Sequence, residues 1–342
     1  MIYTLTLNPA IDYYMSMDNF KLGELNSLEE GYTLPGGKGI NVSKVLKNFS
    51  VESKALGFVG GFTGDYIINH LKGYDISSDF IELKENTRIN IKLKTKDSET
   101  EIAGKSPTIS DENIKELLEK FRDIKSEDIV ILSGSVPNSV TKNIYADIIN
   151  ILPKDCKVIL DTRGVPFVEG LKAGVFLTKP NNHELEEFFN KKLNTLEEII
   201  QAGKDLQALG SKNVLISLGK DGSILITEKD VYIGNAPQGK LISSVGAGDS
   251  MVAGVVYGIA TGNSLEESYK YGIASGSSTA FSEGLTTFEG MNNLLNKIEI
   301  KNIKGGSNDN KFTYTWVYKL KFKRANKTRN YWWNGRNSLS RW

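Results

Sequence analysis

The chain has 342 residues, of which 39% are hydrophobic, and its 42 lysines and arginines almost balance its 41 aspartates and glutamates. This length and composition predict a soluble globular protein with a sizeable core, and no run approaches the roughly twenty apolar residues that span a membrane. A single cysteine, Cys156, excludes an intrachain disulfide, and the two histidines lack zinc-ligand spacing. We therefore expect a cytoplasmic protein.

The first predicted strand covers residues 2–7, where apolar and polar residues alternate. Asn8-Pro9 ends this strand, because proline cannot donate to a β-ladder. Asp12 follows near the strand end, and open α/β sheets bind ligands at the ends of their strands. The Asp12 carboxylate could therefore hydrogen-bond the hydroxyls of a sugar, or it could cap a turn.

A glycine-rich turn at residues 35–43 reads Pro-Gly-Gly-Lys-Gly-Ile-Asn-Val-Ser and leads into a helical pattern of apolar residues. It brings a cation, Lys38, and an amide, Asn41, to positions where both could face a polyol. Residues 55–61 then form a short apolar strand that ends in glycines. The strand, helix and strand together predict a parallel β-α-β unit.

The next informative strand is residues 87–95, which alternate with period two and predict one solvent-facing side. Arg88 is one of only three arginines in residues 1–304. Its planar guanidinium would fit the oxygens of a phosphate. The alternative is a salt bridge on an exposed strand.

From residue 128 onward, strands and helices alternate regularly, and each apolar run ends in polar residues. These polar ends are Ser133-Gly134-Ser135, Asp161 and Lys179-Pro180-Asn181. The pattern predicts a doubly wound parallel sheet whose ligands lie along its carboxyl edge. Asn181 and Glu184, three residues apart at a helix start, could hold a hydrated magnesium ion or cap the helix.

Residues 244–254, Ser-Val-Gly-Ala-Gly-Asp-Ser-Met-Val-Ala-Gly, combine small residues, one carboxylate and an apolar helical segment. Gly246 and Gly248 let backbone N–H groups converge on an anion at the start of the helix. Asp249 would be ionised near its ordinary pKa of about 4 and could accept a proton from an alcohol. The motif predicts phosphoryl transfer to a hydroxyl, with a capped glycine turn as the alternative.

The helical pattern over residues 271–281 contains many small residues. Small side chains would let this helix approach something flat, and a purine base is one candidate. Close packing against a second helix is the other hypothesis.

The composition changes at about Gly305. Residues 305–342 hold nine basic residues, one aspartate and all four tryptophans, whereas the preceding residues hold 33 basic and 40 acidic residues, a net charge of −7. One hypothesis is a tail that binds nucleic acid or an acidic membrane. We expect instead a disordered tail without selected function, because the enzyme-like pattern is complete before it begins.

Six stretches of the chain resemble, in the same order, the motifs of the ribokinase-like (PfkB) carbohydrate kinases. They are residues 4–12, 35–43, 55–64, 87–90, 179–181 and 244–254. The resemblance implies one kinase domain over residues 1–302, an α/β fold with a doubly wound, mostly parallel sheet flanked by helices. It also implies a small β-sheet lid from roughly residues 11–34 and 86–104, and leaves residues 303–342 as the basic, tryptophan-rich tail.

The same resemblance implies the chemistry. ATP would be the phosphoryl donor, with Mg²⁺, and fructose 1-phosphate would be phosphorylated at its 6-hydroxyl to give fructose 1,6-bisphosphate and ADP. Tagatose 6-phosphate is the alternative acceptor, and a sugar-phosphate sensor without turnover is an alternative of a different class. Family members commonly pair their lids, so we expect a homodimer that covers the exposed lid edges, without membrane or nucleic-acid partners.

The functional positions of the family map onto individual residues of this chain. Asp249 matches the catalytic base, and Gly246, Ala247 and Gly248 match the anion hole. The residues expected at the nucleotide site are Lys179, Asn181, Ser217, Gly219, Gly222, Gly246 and Gly248, with Asn181 and Glu184 near magnesium. The residues expected at the sugar phosphate are Asp12, Gly36, Gly37, Lys38, Asn41, Arg88 and Ser135. We expect Arg88 and Lys38 to clamp the substrate phosphate far from Asp249.

Overall fold

The computed structural model describes residues 1–303, which form fourteen strands and ten α-helices. The strands are β1 (Ile2–Thr6), β2 (Ala10–Ser16), β3 (Glu30–Gly36), β4 (Lys54–Gly60), β5 (Ser77–Leu83), β6 (Arg88–Lys94), β7 (Glu99–Ile102), β8 (Ile129–Ser133), β9 (Lys157–Asp161), β10 (Val175–Thr178), β11 (Ser211–Ser217), β12 (Ser223–Ile226), β13 (Val231–Gly234) and β14 (Ile300–Asn302). The helices are α1 (Lys38–Asn48), α2 (Gly61–Gly73), α3 (Asp111–Glu119), α4 (Ile144–Ile151), α5 (Val165–Ala173), α6 (Asn182–Phe188), α7 (Leu196–Ala208), α8 (Ala247–Ala260), α9 (Leu265–Ala280) and α10 (Phe288–Leu295).

The larger sheet has ten strands in the order β14-β13-β12-β11-β10-β9-β8-β1-β4-β5. The seven strands from β11 to β5 are parallel, and β12, β13 and β14 extend the sheet in antiparallel fashion. The chain runs outward from β1 to β5 on one side and from β8 to β11 on the other. The strand order therefore reverses between β1 and β8, where open α/β sheets bind ligands. The predicted doubly wound, mostly parallel sheet is confirmed.

Helices cover both faces of this sheet, because successive side chains of a strand point to opposite faces. In β8, Val130 and Leu132 join one buried cluster and Ile129 and Ile131 join the other. The first cluster is completed by α3 to α7, and the second by α1, α8, α9 and α10. The central strands are buried on both sides, which explains their nearly continuous apolar runs.

The smaller sheet has four strands in the order β3-β2-β6-β7, and we call it the lid sheet. Strand β2 pairs antiparallel with β3 and parallel with β6, in a register that sets Ala10 opposite Arg88 and Asp12 opposite Asn90. The guanidinium of Arg88 reaches back to the backbone of Asn8, just beyond β1. The lid sheet is therefore joined to the carboxyl edge of the larger sheet beside the β1/β8 switch point.

The small residues of α9 pack against α8. A Cβ added at Gly276 would lie 3.0 Å from the carbonyl oxygen of Ala247, and one added at Gly254 would overlap Ser275. The two helices approach so closely because these positions carry little or no side chain. The structure thus favours helix packing over a purine surface as the reason for the small residues.

The predicted tail begins where the described residues end. Ile303, which we assigned to the tail, donates its N–H to the carbonyl of Val231 at 2.7 Å. The prediction of disorder concerns residues outside the described part of the chain. Within residues 1–303, no helix combines the length and the apolar character needed to cross a membrane.

Candidate active site

The N terminus of α8 is the place where we predicted a phosphate cradle. Gly246 caps the helix in a left-handed conformation, with φ of 76°, that favours glycine. A Cβ at Gly248 would lie 3.2 Å from the Lys179 ammonium, so this glycine keeps the helix start open to a buried cation. First-turn N–H groups have no intrahelical partner and attract anions. The N–H of Ala247 already contacts the carbonyl of Ser244, at 3.3 Å.

Asp249 is buried in the first turn of α8. Its Oδ2 accepts a hydrogen bond from the Asn41 amide at 2.8 Å. Burial, followed by the nearby charge of Asp161, raises the pKa of Asp249 to about 6, against the opposing effects of Lys38, Asn41 and Lys179. Our expectation of an ordinary pKa near 4 is therefore wrong. A carboxylate with this higher pKa is a stronger base at neutral pH.

Two lysines and one aspartate form a charge cluster beside the cradle, in which Asp161 and Lys179 are buried and Lys38 is partly exposed. The Asp161 carboxylate lies 3.0 Å from the Lys38 ammonium and 3.8 Å from the Lys179 ammonium. Burial disfavours the charged form of Lys38, but the charges of Asp161, Asp249 and Glu184 outweigh it and raise the pKa of Lys38. Burial likewise opposes ionisation of Asp161, yet Lys179 and Lys38 hold its pKa below the ordinary value. Lys38 and Asp161 are therefore both charged at neutral pH.

Lys38 does not lie where we expected it. We predicted that it would clamp a substrate phosphate together with Arg88, far from Asp249. Its ammonium instead pairs with Asp161, and the charge of Asp249 acts on it. The structure thus assigns Lys38 to the end of the site where the phosphoryl group would be transferred.

Arg88 lies at the other end, where the lid sheet meets β1. Its Nη2 donates to the carbonyl of Asn8 at 3.1 Å, and its Nη1 donates to Oδ1 of Asn90 at 3.2 Å. The Asn8 amide in turn donates to Oγ of Ser135 at 3.2 Å. Arg88 and Ser135 are therefore brought together through Asn8, a residue that our sequence analysis treated only as part of a strand end.

Asp12 and its neighbours connect the two ends. Oδ1 of Asp12 accepts a hydrogen bond from Asn90 at 2.8 Å, and a Cβ at Gly36 would overlap its carboxylate. Burial raises the pKa of Asp12, partly offset by Asn90. Gly37 turns the chain with φ of 136°, and a Cβ there would lie 2.6 Å from the Thr6 methyl. The glycines at 36 and 37 thus allow α1 to begin directly against Asp12 and β1.

The expected nucleotide residues meet at the ends of β10 and β11. The N–H of Ser217 donates to the carbonyl of Pro180 at 3.1 Å, and Ser217 forms a β-bridge with Asn181. Gly219 and Gly222 have φ of 60° and 98° in the turn that leads to β12. These contacts bring the loop beside Lys179 and the α8 cradle, as a donor site requires.

Asn181 and Glu184 form a capping box at the start of α6, which is the alternative that we had left open. Oδ1 of Asn181 accepts from the N–H of Glu184 at 2.9 Å, and Oε2 of Glu184 accepts from the N–H of Asn181 at 2.8 Å. Within residues 1–303, no group of three or more His, Cys, Asp or Glu side chains could hold a metal ion. A hydrated magnesium ion bound through one carboxylate and ATP would not need such a group.

Asp161 is a residue that our site prediction missed. The sequence did signal it, since it is the acidic residue that ends an apolar strand at the carboxyl edge. Its partners, Lys38 and Lys179, lie 123 and 18 positions away in the sequence, and no local pattern connects the three.

Comparisons with known proteins show which family the chain belongs to. The profile of the pfkB family carbohydrate kinases matches residues 5–289. The chain is 46% identical to the 1-phosphofructokinase of Bacillus subtilis over 88% of this chain and 99% of that protein. It is 36% identical to the D-tagatose-1-phosphate kinase of Bacillus licheniformis over 89% of this chain and all of that protein.

Solved structures extend the likeness to three dimensions. A crystal structure of a phosphofructokinase candidate from Staphylococcus aureus is 42% identical, with a TM-score of 0.80, over 90% of this chain and all of that one. The family match spans both ends of the site, including the cradle and the lid strand that carries Arg88. The chain therefore belongs to the pfkB family of carbohydrate kinases.

Proposed function

We propose that residues 1–303 form a cytoplasmic kinase that transfers the γ-phosphoryl group of ATP to the 6-hydroxyl of fructose 1-phosphate. The observation that carries the proposal is that the charges of the site fall into two groups, because Asp161, Asp249 and Glu184 act on Lys38 whereas Asp12 and Glu101 act on Arg88. Asp249 and two lysines lie at one end, and Arg88 lies with Asn8 and Ser135 at the other. A substrate with a hydroxyl at one end and a phosphate at the other fits this arrangement. The curated relatives named 1-phosphofructokinase support the same substrate.

Each step of the reaction has a residue to perform it. The Asp249 carboxylate removes the proton from the 6-hydroxyl, and the hydroxyl oxygen bonds to the γ-phosphorus while the bond to the β–γ bridging oxygen breaks and ADP leaves. The free N–H groups at the start of α8 and the ammonium groups of Lys38 and Lys179 stabilise the negative charge on the transferred phosphoryl. Asp161 holds both lysines in place.

Magnesium fits this scheme through Glu184. Only one oxygen of its carboxylate is used in the capping box, and its charge acts on Lys38, so it lies close to the transfer end. Magnesium retains most of its waters and uses one or two carboxylates together with phosphates. Bound there, it would neutralise negative charge on the phosphates of ATP.

A panel of acceptors tests the proposal. ADP release is measured with fructose 1-phosphate, fructose 6-phosphate, tagatose 1-phosphate, tagatose 6-phosphate and unphosphorylated ribose at equal concentrations. We expect the highest kcat/KM with fructose 1-phosphate. Preference for ribose would contradict a phosphate-binding end. Preference for tagatose 6-phosphate would favour the alternative acceptor, and preference for tagatose 1-phosphate would favour the activity named for the Bacillus licheniformis relative. Binding of fructose 1-phosphate without ADP release would favour a sensor.

The kcat/KM of the reaction should fall as the pH drops below about 6. Asp249 must be ionised to accept the proton, so kcat/KM should fall about tenfold per pH unit below its pKa of about 6. Sugar phosphates also ionise near pH 6, so a variant must separate the two causes. Asp161→Asn removes the charge that raises the pKa of Asp249 and should shift the acid limb to lower pH. If the acid limb of the pH profile does not shift in this variant, its cause is the ionisation of the substrate phosphate.

We also propose a homodimer through the lid. The loop between β2 and β3 exposes 88% of Leu22 and 96% of Leu25, and Ile89 and Ile102 are exposed on the lid sheet itself. The Asn26 side chain bonds the backbone of Lys21 and Glu24, which fixes the loop with both leucines outward. Such apolar surface on exposed strands suits a second copy of the same lid.

Changing the two leucines tests the dimer. The double variant Leu22→Asp, Leu25→Asp should sediment as a monomer at concentrations where the unchanged protein is dimeric, because it puts charge into an apolar contact. Ile151→Asp is the matched control, since Ile151 is 43% exposed at the end of α4. A double variant that sediments like the unchanged protein would exclude a contact through this loop.

A further inference from the structure

Four buried side-chain nitrogen or oxygen atoms in residues 1–303 have no hydrogen-bond partner. They are Oδ1 of Asn8, Nε2 of His70, Nε of Arg88 and Oδ1 of Asn182. Two of the four belong to residues that touch each other, since the Asn8 carbonyl accepts a hydrogen bond from Arg88. Buried polar atoms in native proteins are nearly always paired, so an unpaired donor and an unpaired acceptor on two residues in contact within the candidate site point to a ligand.

The hydrogen bonds of Asn8 leave its side-chain amide oxygen, Oδ1, without a partner. It lies two residues beyond β1, at the switch point of the sheet, and only 9% of it is exposed. Its Nδ2 is used by Ser135 and its carbonyl by Arg88. Ser135, in the loop after β8, therefore holds the side chain of Asn8, and Arg88 of the lid sheet holds its backbone. Neither contact uses Oδ1.

The two free atoms need different partners. The N–H at Nε of Arg88 requires an acceptor, and a phosphate oxygen suits a guanidinium best. Oδ1 of Asn8 accepts only, so an ionised phosphate oxygen would repel it and a hydroxyl would satisfy it. One molecule meets both needs if it carries a hydroxyl next to its phosphorylated carbon.

We propose that Asn8 is a specificity-determining residue whose Oδ1 accepts a hydrogen bond from the sugar hydroxyl nearest the phosphate that Arg88 binds. The proposal rests on the function proposed above and makes it more specific. In fructose 1-phosphate this hydroxyl is the anomeric one at C2, next to the phosphorylated C1. Asn8 thus distinguishes acceptors at the end of the sugar that does not react.

The test compares two substrates on each protein. 2,5-Anhydromannitol 1-phosphate lacks the anomeric hydroxyl but keeps the phosphate and the primary alcohol at the far end. For the unchanged protein, kcat/KM with fructose 1-phosphate should exceed that with the analogue by about 10- to 100-fold. In Asn8→Ala this ratio should fall to about 1, because the partner of the hydroxyl is gone. The ratio is measured within one protein, so a partly unfolded sample does not change it.

Two further variants serve as controls. Asn8→Asp keeps an acceptor at the same place and should keep the ratio, although its charge beside Arg88 lowers kcat/KM for both phosphates. Asn213 is another buried asparagine, and its amide donates to the Phe176 carbonyl on the larger sheet. Asn213→Ala should leave the ratio unchanged. If Asn8→Ala does not fold, the two substrates are still compared on the unchanged protein. A ratio of the two kcat/KM values near 1 would then overturn the proposal, because it would show that the protein makes no contact with the anomeric hydroxyl.

The outcomes separate this inference from the proposed function. Absence of ADP release with fructose 1-phosphate would overturn both. Normal turnover of fructose 1-phosphate, with a ratio near 1 in the unchanged protein or a ratio that Asn8→Ala leaves intact, would overturn the role of Asn8 alone.

Discussion

Asp249→Asn should lower kcat by about 10²- to 10⁴-fold, the usual loss when a general base is removed. Asparagine has the same shape but cannot take the proton of the 6-hydroxyl. The defect should appear in kcat, because the donor site proposed above uses backbone N–H groups and lysines and not the Asp249 carboxylate. ADP release at saturating fructose 1-phosphate measures the effect, and calorimetric titration with ATP checks that donor binding remains.

The stability of this variant provides its folding control. The folded-state pKa of Asp249, about 6, is higher than its ordinary value, so the folded protein favours the protonated carboxyl. The stability that this preference contributes is present at low pH and is lost as the pH rises through about 6. At pH 8 the neutral asparagine should therefore melt no lower than the aspartate. A near-normal rate, or a rate loss that only accompanies unfolding, would contradict the assignment of the base.

A second variant tests whether replacing any buried carboxylate lowers kcat. Asp128→Asn changes a buried aspartate next to the start of β8, at the opposite edge of the sheet. It should cost stability, because both oxygens of Asp128 accept hydrogen bonds, from the N–H of Lys125 at 2.9 Å and from the Met1 ammonium at 2.7 Å, and asparagine has only one acceptor oxygen. Its kcat should stay close to that of the unchanged protein, since no contact links it to the cradle.

Arg88→Ala should lower kcat/KM for fructose 1-phosphate by tens- to hundreds-fold and leave the KM for ATP almost unchanged. A charge-assisted hydrogen bond to phosphate contributes roughly 1.5–3 kcal/mol, and a single bond in this range accounts for the expected loss. Asn8 and Asn90 hold the two terminal nitrogens, so the guanidinium is oriented before the substrate arrives. Preorganised contacts of this kind improve binding because little freedom is lost.

The cause of the loss can be assigned with two comparisons. Unphosphorylated fructose lacks the group that Arg88 binds, so its low rate should not fall further in Arg88→Ala. Arg88→Lys keeps the charge but not the planar fork, and its kcat/KM should lie between those of the unchanged protein and the alanine variant. Arg122→Ala is the matched control, because Arg122 is exposed and pairs only with Glu119 on the surface. An Arg88→Ala enzyme with normal use of fructose 1-phosphate would show that the phosphate binds elsewhere.

Much of the fold follows from local patterns in the sequence. Val130 and Leu132 alternate with Ile129 and Ile131 between two buried clusters, so the apolar run of β8 predicts a strand covered on both faces. The glycines around Asp249 predict the cradle because few other residues adopt the backbone conformation that Gly246 has at the start of α8. Such features depend on neighbours in the chain, and the sequence contains all of them.

The sequence by itself determined the α/β class, the order of its elements and the position of an aspartate in a glycine-rich helix start. The tertiary structure decided that Lys38 pairs with Asp161, where we had expected it to share a phosphate with Arg88, that Asp249 has a pKa of about 6, and that Asn8 has a free amide oxygen. The physical reason is distance along the chain. Burial and charge act through space, and the contacts that set these properties join residues such as Asn41 and Asp249, which are 208 positions apart.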